Sequence, residues 1–386
     1  MSKELSYSVI LEALQGSASA FRRRSVLHPA GGDGQKIFPP TYLDGPYVKE
    51  TRVVGKETME TVLLDSVQSQ ANRMELALLR AWRQGKIEMP VWQVDFRKSD
   101  VKDVGVLTAL ETPHRIADAI FRDSLLGDQE FANSEWGQKI EASSYGNATA
   151  LFETCPTALI FGIWHSTGKR GGMGAKFPRV IASEIFGVEV EVGKHAAGRL
   201  DPLNISSKAE VYLKGKETSG WRSDAAKDFK KKAPSEINHG NIPPAPQKNS
   251  GVTVREAVQT TVLSLPGLRR LSFPLNDGPG DSLAAQALLA ALGLAASEML
   301  FADGFDLRSR CLLDGAPGPW EVLNQGEATT VTVTNELLRE TYKEAFQRVR
   351  GAGYKWTNLP VVLAPQAKLV KLIQRSREIQ AQGEQE

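Results

Sequence analysis

The chain has 386 residues, 41% of them hydrophobic, which is enough for one large or two ordinary domains with a real core. A formal net charge of +2 is too small to announce nucleic-acid binding, so any such role must rest on local clusters. Two cysteines, Cys155 and Cys311, with no CxxC and five scattered histidines, exclude a zinc finger, argue against a disulfide scaffold and fit a reducing cytoplasm.

The opening MSKELSYSVI lacks the cationic and apolar succession of a signal peptide. Arg22, Arg23 and Arg24 form the first cationic cluster. Asp33, between Gly32 and Gly34 and near His28, reads as a turn residue. The spacing of Leu63, Val67, Ala71, Met74, Leu78 and Ala81 predicts one long helix over residues 57 to 84. Its neighbouring face, Ser66, Ser69, Gln70 and Arg73, is polar but mostly uncharged. That suits hydrogen bonding either to a ligand or to another element of the fold. Thr112 and Pro113 predict the start of a second helix, to about residue 126. Residues 157 to 164, TALIFGIW, read as a short buried strand.

Residues 164 to 179, WHSTGKRGGMGAKFPR, hold four cations, four glycines and no acid. Gly168, Gly171, Gly172 and Gly174 let backbone N–H groups approach an anion, and Lys169, Arg170, Lys176 and Arg179 supply countercharge. The P-loop pattern fails because Ala175 precedes Lys176 and Phe177 follows it, and the dinucleotide fingerprint fails because Phe177 stands where its third glycine belongs. A basic loop with Trp164 and Phe177 beside it suits a phosphate backbone with bases stacked nearby, or is a solvated basic turn.

Residues 208 to 213, KAEVYL, alternate as a strand does, and residues 214 to 232 carry seven cations against three acids. Residues 234 to 250 are too rich in Pro, Asn and Gly for regular structure, so residues 190 to 250 read as an insertion. A strand at 268 to 273, an apolar helix at 281 to 302 and a strand at 305 to 313 predict a β-α-β unit. The helix approaches membrane-span length but, with Gln286, Ser297, Glu298 and many alanines, reads as a core helix. Together these elements predict an α+β architecture with a modified RRM-like (ferredoxin-like) core and large insertions.

Four motifs then carry a resemblance: FPPTY (38 to 42), LLDSVQSQANRME (63 to 75), FGIWHSTGKRGGMGAKFPRVIASEI (161 to 185) and LSLPGLRRLSFP (263 to 274). In this order they are similar to the RAMP-superfamily backbone subunit, of the Cas-seven family, of type I-G (formerly I-U) CRISPR Cascade complexes. The match runs over roughly residues 20 to 315. It implies an RRM-like core with an inserted thumb, placed here over residues 1 to 315 with 190 to 250 as the candidate thumb; residues 316 to 386 add little to the match and are expected to form a largely helical C-terminal extension. It also implies binding without turnover, head-to-tail polymerisation of copies along a CRISPR guide RNA, pairing of that guide with target DNA, and contact with other Cascade subunits in the cytoplasm, with no membrane, metal or cofactor. Carried onto this chain, the guide would meet Ser66, Ser69, Gln70, Arg73 and the loop with Lys169, Arg170, Lys176 and Arg179, with His165, Arg22, Arg23, Arg24, Arg269 and Arg270 as further RNA-binding candidates. The aromatic RNP motif of standard RRMs is absent, so stacking on an open sheet is not implied.

The rival class is a metal-dependent RNA endonuclease of the same superfamily. Asp33 and His28 do not supply the convergent oxygen ligands of a two-metal site, and a lone His165 is more often a hydrogen-bonding residue than a general base. A small-molecule enzyme lacks both a nucleophile with its base and a cofactor signature.

Overall fold

The computed structural model describes residues 2–43, 47–164, 176–215, 218–246, 250–275, 278–308, 310–356 and 358–383. Strands β1 (Ala20–Pro29), β2 (Glu57–Asp65), β3 (Ile181–Val188), β4 (Glu256–Ser264) and β5 (Trp320–Asn324) form the centre of a sheet in the order β5-β1-β4-β3-β2. Each neighbouring pair is antiparallel. Lys49–Val54 extends the β2 side, and Glu327–Thr332 followed by Lys3–Glu4 extends the β5 side.

Two long helices, α1 (Val67–Arg83) and α2 (Ser282–Asp303), pack against each other. Since β1 and β3 both run antiparallel to β4, they are parallel to each other, and α1 lies on the connection between them. By the same logic β4 and β5 are parallel about β1, with α2 on their connection. The chain order β1-α1-β3-β4-α2-β5 with spatial order β5-β1-β4-β3 is the double split β-α-β of a ferredoxin-like core.

Side-chain alternation fixes which face the helices cover. Phe21, Arg23, Ser25 and Leu27 of β1 are buried, and they pair in register with the buried Leu263, Thr261, Gln259 and Ala257 of β4. Helix α2 is apolar on nearly every side because it is covered nearly all round; Leu288, Leu289, Leu292 and Leu294 are each 0% exposed. Burying a leucine of this kind contributes about 1.5–3 kcal/mol. Asp281 caps α2 by accepting the Ala284 N–H at 2.9 Å. The helix is long and apolar enough to cross a membrane, but 83% of its apolar window is buried in the fold, in keeping with its reading as a core helix.

Several expected elements differ. Residues 57 to 84 are not one helix: the β-branched run with Thr58, Thr61 and Val62 forms β2, and the helix begins only after Ser66. The strand expected at 157 to 164 is mostly the helix Pro156–Phe161, followed by a left-handed Gly162 (φ 87°) and the two-residue strand Ile163–Trp164. The helix expected over 112 to 126 breaks into the 3-10 turn Arg115–Ala117, the short helix Ala119–Arg122 and the strand Ser124–Leu126. Leu265–Arg269 is a helical turn capped by Ser264, so the strand before α2 is β4 and not residues 268 to 273. The run 305 to 313 splits into the hairpin strands Phe305–Asp306 and Leu312–Asp314.

The closing strand of the core is therefore β5, beyond the boundary expected at residue 315. Past it, helices Asn335–Gly351 and Ala367–Gly383 follow, and Val361–Pro365 joins a separate five-stranded sheet with Trp92–Asp95 and Ser124–Leu126 among its members. Between β3 and β4, Glu191–Val192 pairs with Val252–Thr253, and beyond that pair stand two small ladders, Ala196–Arg199 with Ile242–Pro246 and Val211–Leu213 with Lys230–Lys232. Val211, Leu213 and Ile237 give the second ladder its own small apolar cluster.

Candidate nucleic-acid interface

The polar face of α1 turns inward. Ser66 is the N-cap, its hydroxyl accepting the Ser69 N–H at 3.2 Å. Gln70 is 0% exposed; its Nε2 donates to Asp65 Oδ2 at 2.7 Å, and its Oε1 accepts from Ser183 at 3.0 Å and Gln259 at 2.9 Å. Arg73 donates to Asp65 at 3.0 Å and to the Leu307 carbonyl at 2.6 Å. These contacts bind α1 to β2, β3, β4 and the 305–314 hairpin, which is the inter-element alternative left open by the sequence. Gln70→Ala should therefore cost about 1–3 kcal/mol in urea denaturation, because Asp65, Ser183 and Gln259 lose a shared buried partner. Unchanged stability with weakened RNA binding would show Gln70 to be a ligand contact instead.

The three consecutive arginines divide by strand alternation. Arg23 is 1% exposed on the helix side, where it pairs with Glu298, donates to Ser297 Oγ at 2.8 Å and lies 5.0 Å from the Trp320 ring centroid. Its charge serves the core. Arg22, on the opposite face, is held by Glu321 at 2.7 Å. Arg24 is exposed on that same face and has no ion pair among the described residues. Nearby, Phe186 is 9% exposed beneath the Arg52 guanidinium, which also pairs with Glu50 and Glu184. The open sheet face thus offers a charge at Arg24 but no bare ring at Phe186.

Arg269 donates to the carbonyls of Ala13, Leu14 and Ala18 at 2.6–2.7 Å, closing the end of helix Tyr7–Gln15, whereas Arg270 is exposed. Asp33 is exposed between two left-handed glycines, as its turn reading expects. His165, Lys169 and Arg170 lie outside the described residues. Lys176 and Arg179 are exposed at the root of the glycine-rich segment.

That root is rigidly built. Ile163–Trp164 pairs antiparallel with Lys176–Phe177, and residues 165–175 connect the two strands. Gly162 must be glycine: its φ is 87°, and a Cβ would lie 3.1 Å from Arg179 N and the Phe177 carbonyl. The Gly162 carbonyl accepts from Arg115 at 2.8 Å, and Arg115 in turn grips Glu75 of α1 through two bonds of 2.7 Å. Burial pushes the Glu75 carboxyl up to about 7, with Arg115 opposing the shift. A buried ion pair thereby ties the loop root to the first long helix.

The structure thus brings Lys176, Arg179 and Arg270 to one region, leaves Arg24 on the sheet face, and gives Arg23, Gln70, Arg73 and Arg269 intramolecular partners. Sequence reasoning missed Tyr145, which stands 5.4 Å from Phe177 in an edge-on contact and 5.6 Å from the Arg270 guanidinium. An aromatic in the polar turn SSYGN was the available signal. It also missed Glu75 and Arg115, which lie 40 residues apart.

The core defines the chain as an α+β protein of ferredoxin-like topology, with exposed Lys176, Arg179 and Arg270 in one region at the loop root. Residues 21–192, which include β1, β2, α1, the loop root and β3, match the family described as CRISPR-associated protein GSU0053. This bears out the recognition made from the motifs: the chain is similar to RAMP-superfamily backbone subunits of CRISPR complexes. No curated protein matches it. Among solved structures, the crystal structure of Thermofilum pendens Csc2 is similar at 11% identity, covering 90% of this chain and 81% of that one with a TM-score of 0.29.

Proposed function

We propose that the chain is the guide-RNA-binding backbone subunit of a type I, specifically type I-G, CRISPR surveillance complex. The observation that carries this reading is the CRISPR-associated family match over residues 21–192, a segment that includes the basic loop and its root. Exposed Lys176, Arg179, Arg270 and Arg24 provide charge for phosphates on a chain whose net charge is only +2. The role is binding without turnover in the cytoplasm, with target DNA recognised through pairing to the guide and with other Cascade subunits as partners. Residues 1–315 supply most of the RRM-like unit and 316–386 extend it.

Residues 190–250 act as the thumb. They hold eleven cations against seven acids, more than the net positive charge of the whole chain. Trp221, 43% exposed and edge-on to His239, is a large ring able to wedge or stack there. Copies joined head to tail along RNA should protect it from nuclease in equal increments as protein is titrated onto a guide-length strand. One fixed protected length at every protein excess would contradict polymerisation.

A further inference from the structure

Cation–aromatic pairs in this protein differ in whether the cation also has a carboxylate partner; besides the loop root, Arg222 by Phe229, Arg310 over Phe38 and Arg350 by Phe346 have no ion pair among the described residues. Arg23 over Trp320, Arg52 over Phe186 and Lys139 beside Trp136 each have a carboxylate on the cation: Glu298, Glu184 and Glu135 respectively. There the charge is balanced internally. At the loop root, Lys176 Nζ lies 5.0 Å from the centroid of Trp164, which is 57% exposed, and Arg270 lies 5.6 Å from the centroid of Tyr145, which is 39% exposed. Among the described residues neither of these cations has an ion pair. Both sites therefore combine an exposed aromatic face with a cation lacking a carboxylate partner.

The backbones that carry the two rings are also paired. Trp164 lies on the short ladder opposite Lys176. Tyr145 sits between Ser144 and Asn147, whose backbones exchange two bonds of 3.0 Å, while its carbonyl accepts the Ser272 N–H at 2.8 Å and its ring meets Phe177. A ring packed on a neighbour, as Tyr145 is on Phe177, loses little conformational freedom when a flat ligand stacks on it.

Resting on the RNA-binding reading above, we propose that Trp164 and Tyr145 are two stacking positions for unpaired nucleobases, with Lys176 and Arg270 binding the phosphates of the same strand. Each ring contributes base stacking, which tolerates any sequence, and each cation moves from the ring to a phosphate when the strand arrives. The sites lie apart from the open sheet face used by standard RRMs, where Phe186 is covered.

The test uses the full chain and a single-stranded RNA containing 2-aminopurine, with affinity, salt slope and fluorescence quenching measured together. Trp164→Ala and Tyr145→Ala should each weaken binding roughly 5- to 150-fold and reduce quenching, while leaving the salt slope unchanged because no phosphate contact is removed. Trp164→Phe and Tyr145→Phe should keep most of the affinity, which separates stacking from loss of fold. A duplex RNA of the same length, whose bases are not available, should show no such difference between variants and parent. Normal affinity and quenching in both alanine variants would overturn the stacking proposal while leaving RNA binding intact. Failure of the parent chain to bind any RNA would instead overturn the functional reading beneath it.

Discussion

Arg115→Ala is expected to destabilise the protein by about 3–5 kcal/mol, since removing one partner leaves the other charge buried and uncompensated. Arg115 and Glu75 have side chains 7% and 2% exposed and meet through two parallel bonds of 2.7 Å. An exposed ion pair would contribute no more than about 1 kcal/mol, so the magnitude distinguishes the two settings. The loss should appear as a lower urea midpoint with an unchanged slope. Removing both charges, as in Arg115→Met with Glu75→Leu, should recover much of it, because the desolvation cost of the pair disappears with the pair. A loss below about 1 kcal/mol in Arg115→Ala would show that water reaches Glu75 and that the pair does not anchor the loop root.

Changing Lys169, Arg170 and Lys176 together to alanine is expected to weaken RNA binding by about two decades at 0.1 M salt. Each phosphate contact to a single strand contributes about 0.7 to the slope of log K against log salt, so three lost contacts reduce that slope by about 2. The loss should be similar for unrelated sequences, because phosphate contacts carry no sequence information. An unchanged slope, with the thermal midpoint intact, would place the guide elsewhere on the molecule.

The central helix was legible because an alanine- and leucine-rich run bounded by Asp281 and Gly304, with Gln286, Ser297 and Glu298 within it, reads as a buried helix, and the α+β class because helical and strand-like patterns both occur along the chain. The strands were less legible. In β2, Leu63 falls by chance into the spacing of the helix that follows, and only the cap at Ser66 separates the two elements. At residues 157 to 164 a short apolar run has no periodicity to tell a buried helix from a buried strand, and Pro156 at the first helical position was the signal overlooked.

The candidate site was legible where cations stand beside glycine and illegible where charge is used internally. Arg22, Arg23 and Arg24 look alike in sequence, yet strand alternation puts Arg23 under Trp320 and leaves Arg24 exposed. Likewise Arg269 closes a helix end while Arg270, one residue on, is exposed. The Tyr145–Arg270 contact joins segments 125 residues apart, and no local pattern announces it.

The central claim is that this chain holds guide RNA, and the most direct measurement is the nucleic acid that co-purifies with it when it is expressed together with a CRISPR array. RNA of discrete length carrying array sequence should be recovered from the parent chain and largely lost from the Lys169, Arg170 and Lys176 triple variant at equal yield of folded protein. Folded parent protein free of RNA, or carrying only heterogeneous cellular RNA, would contradict the account.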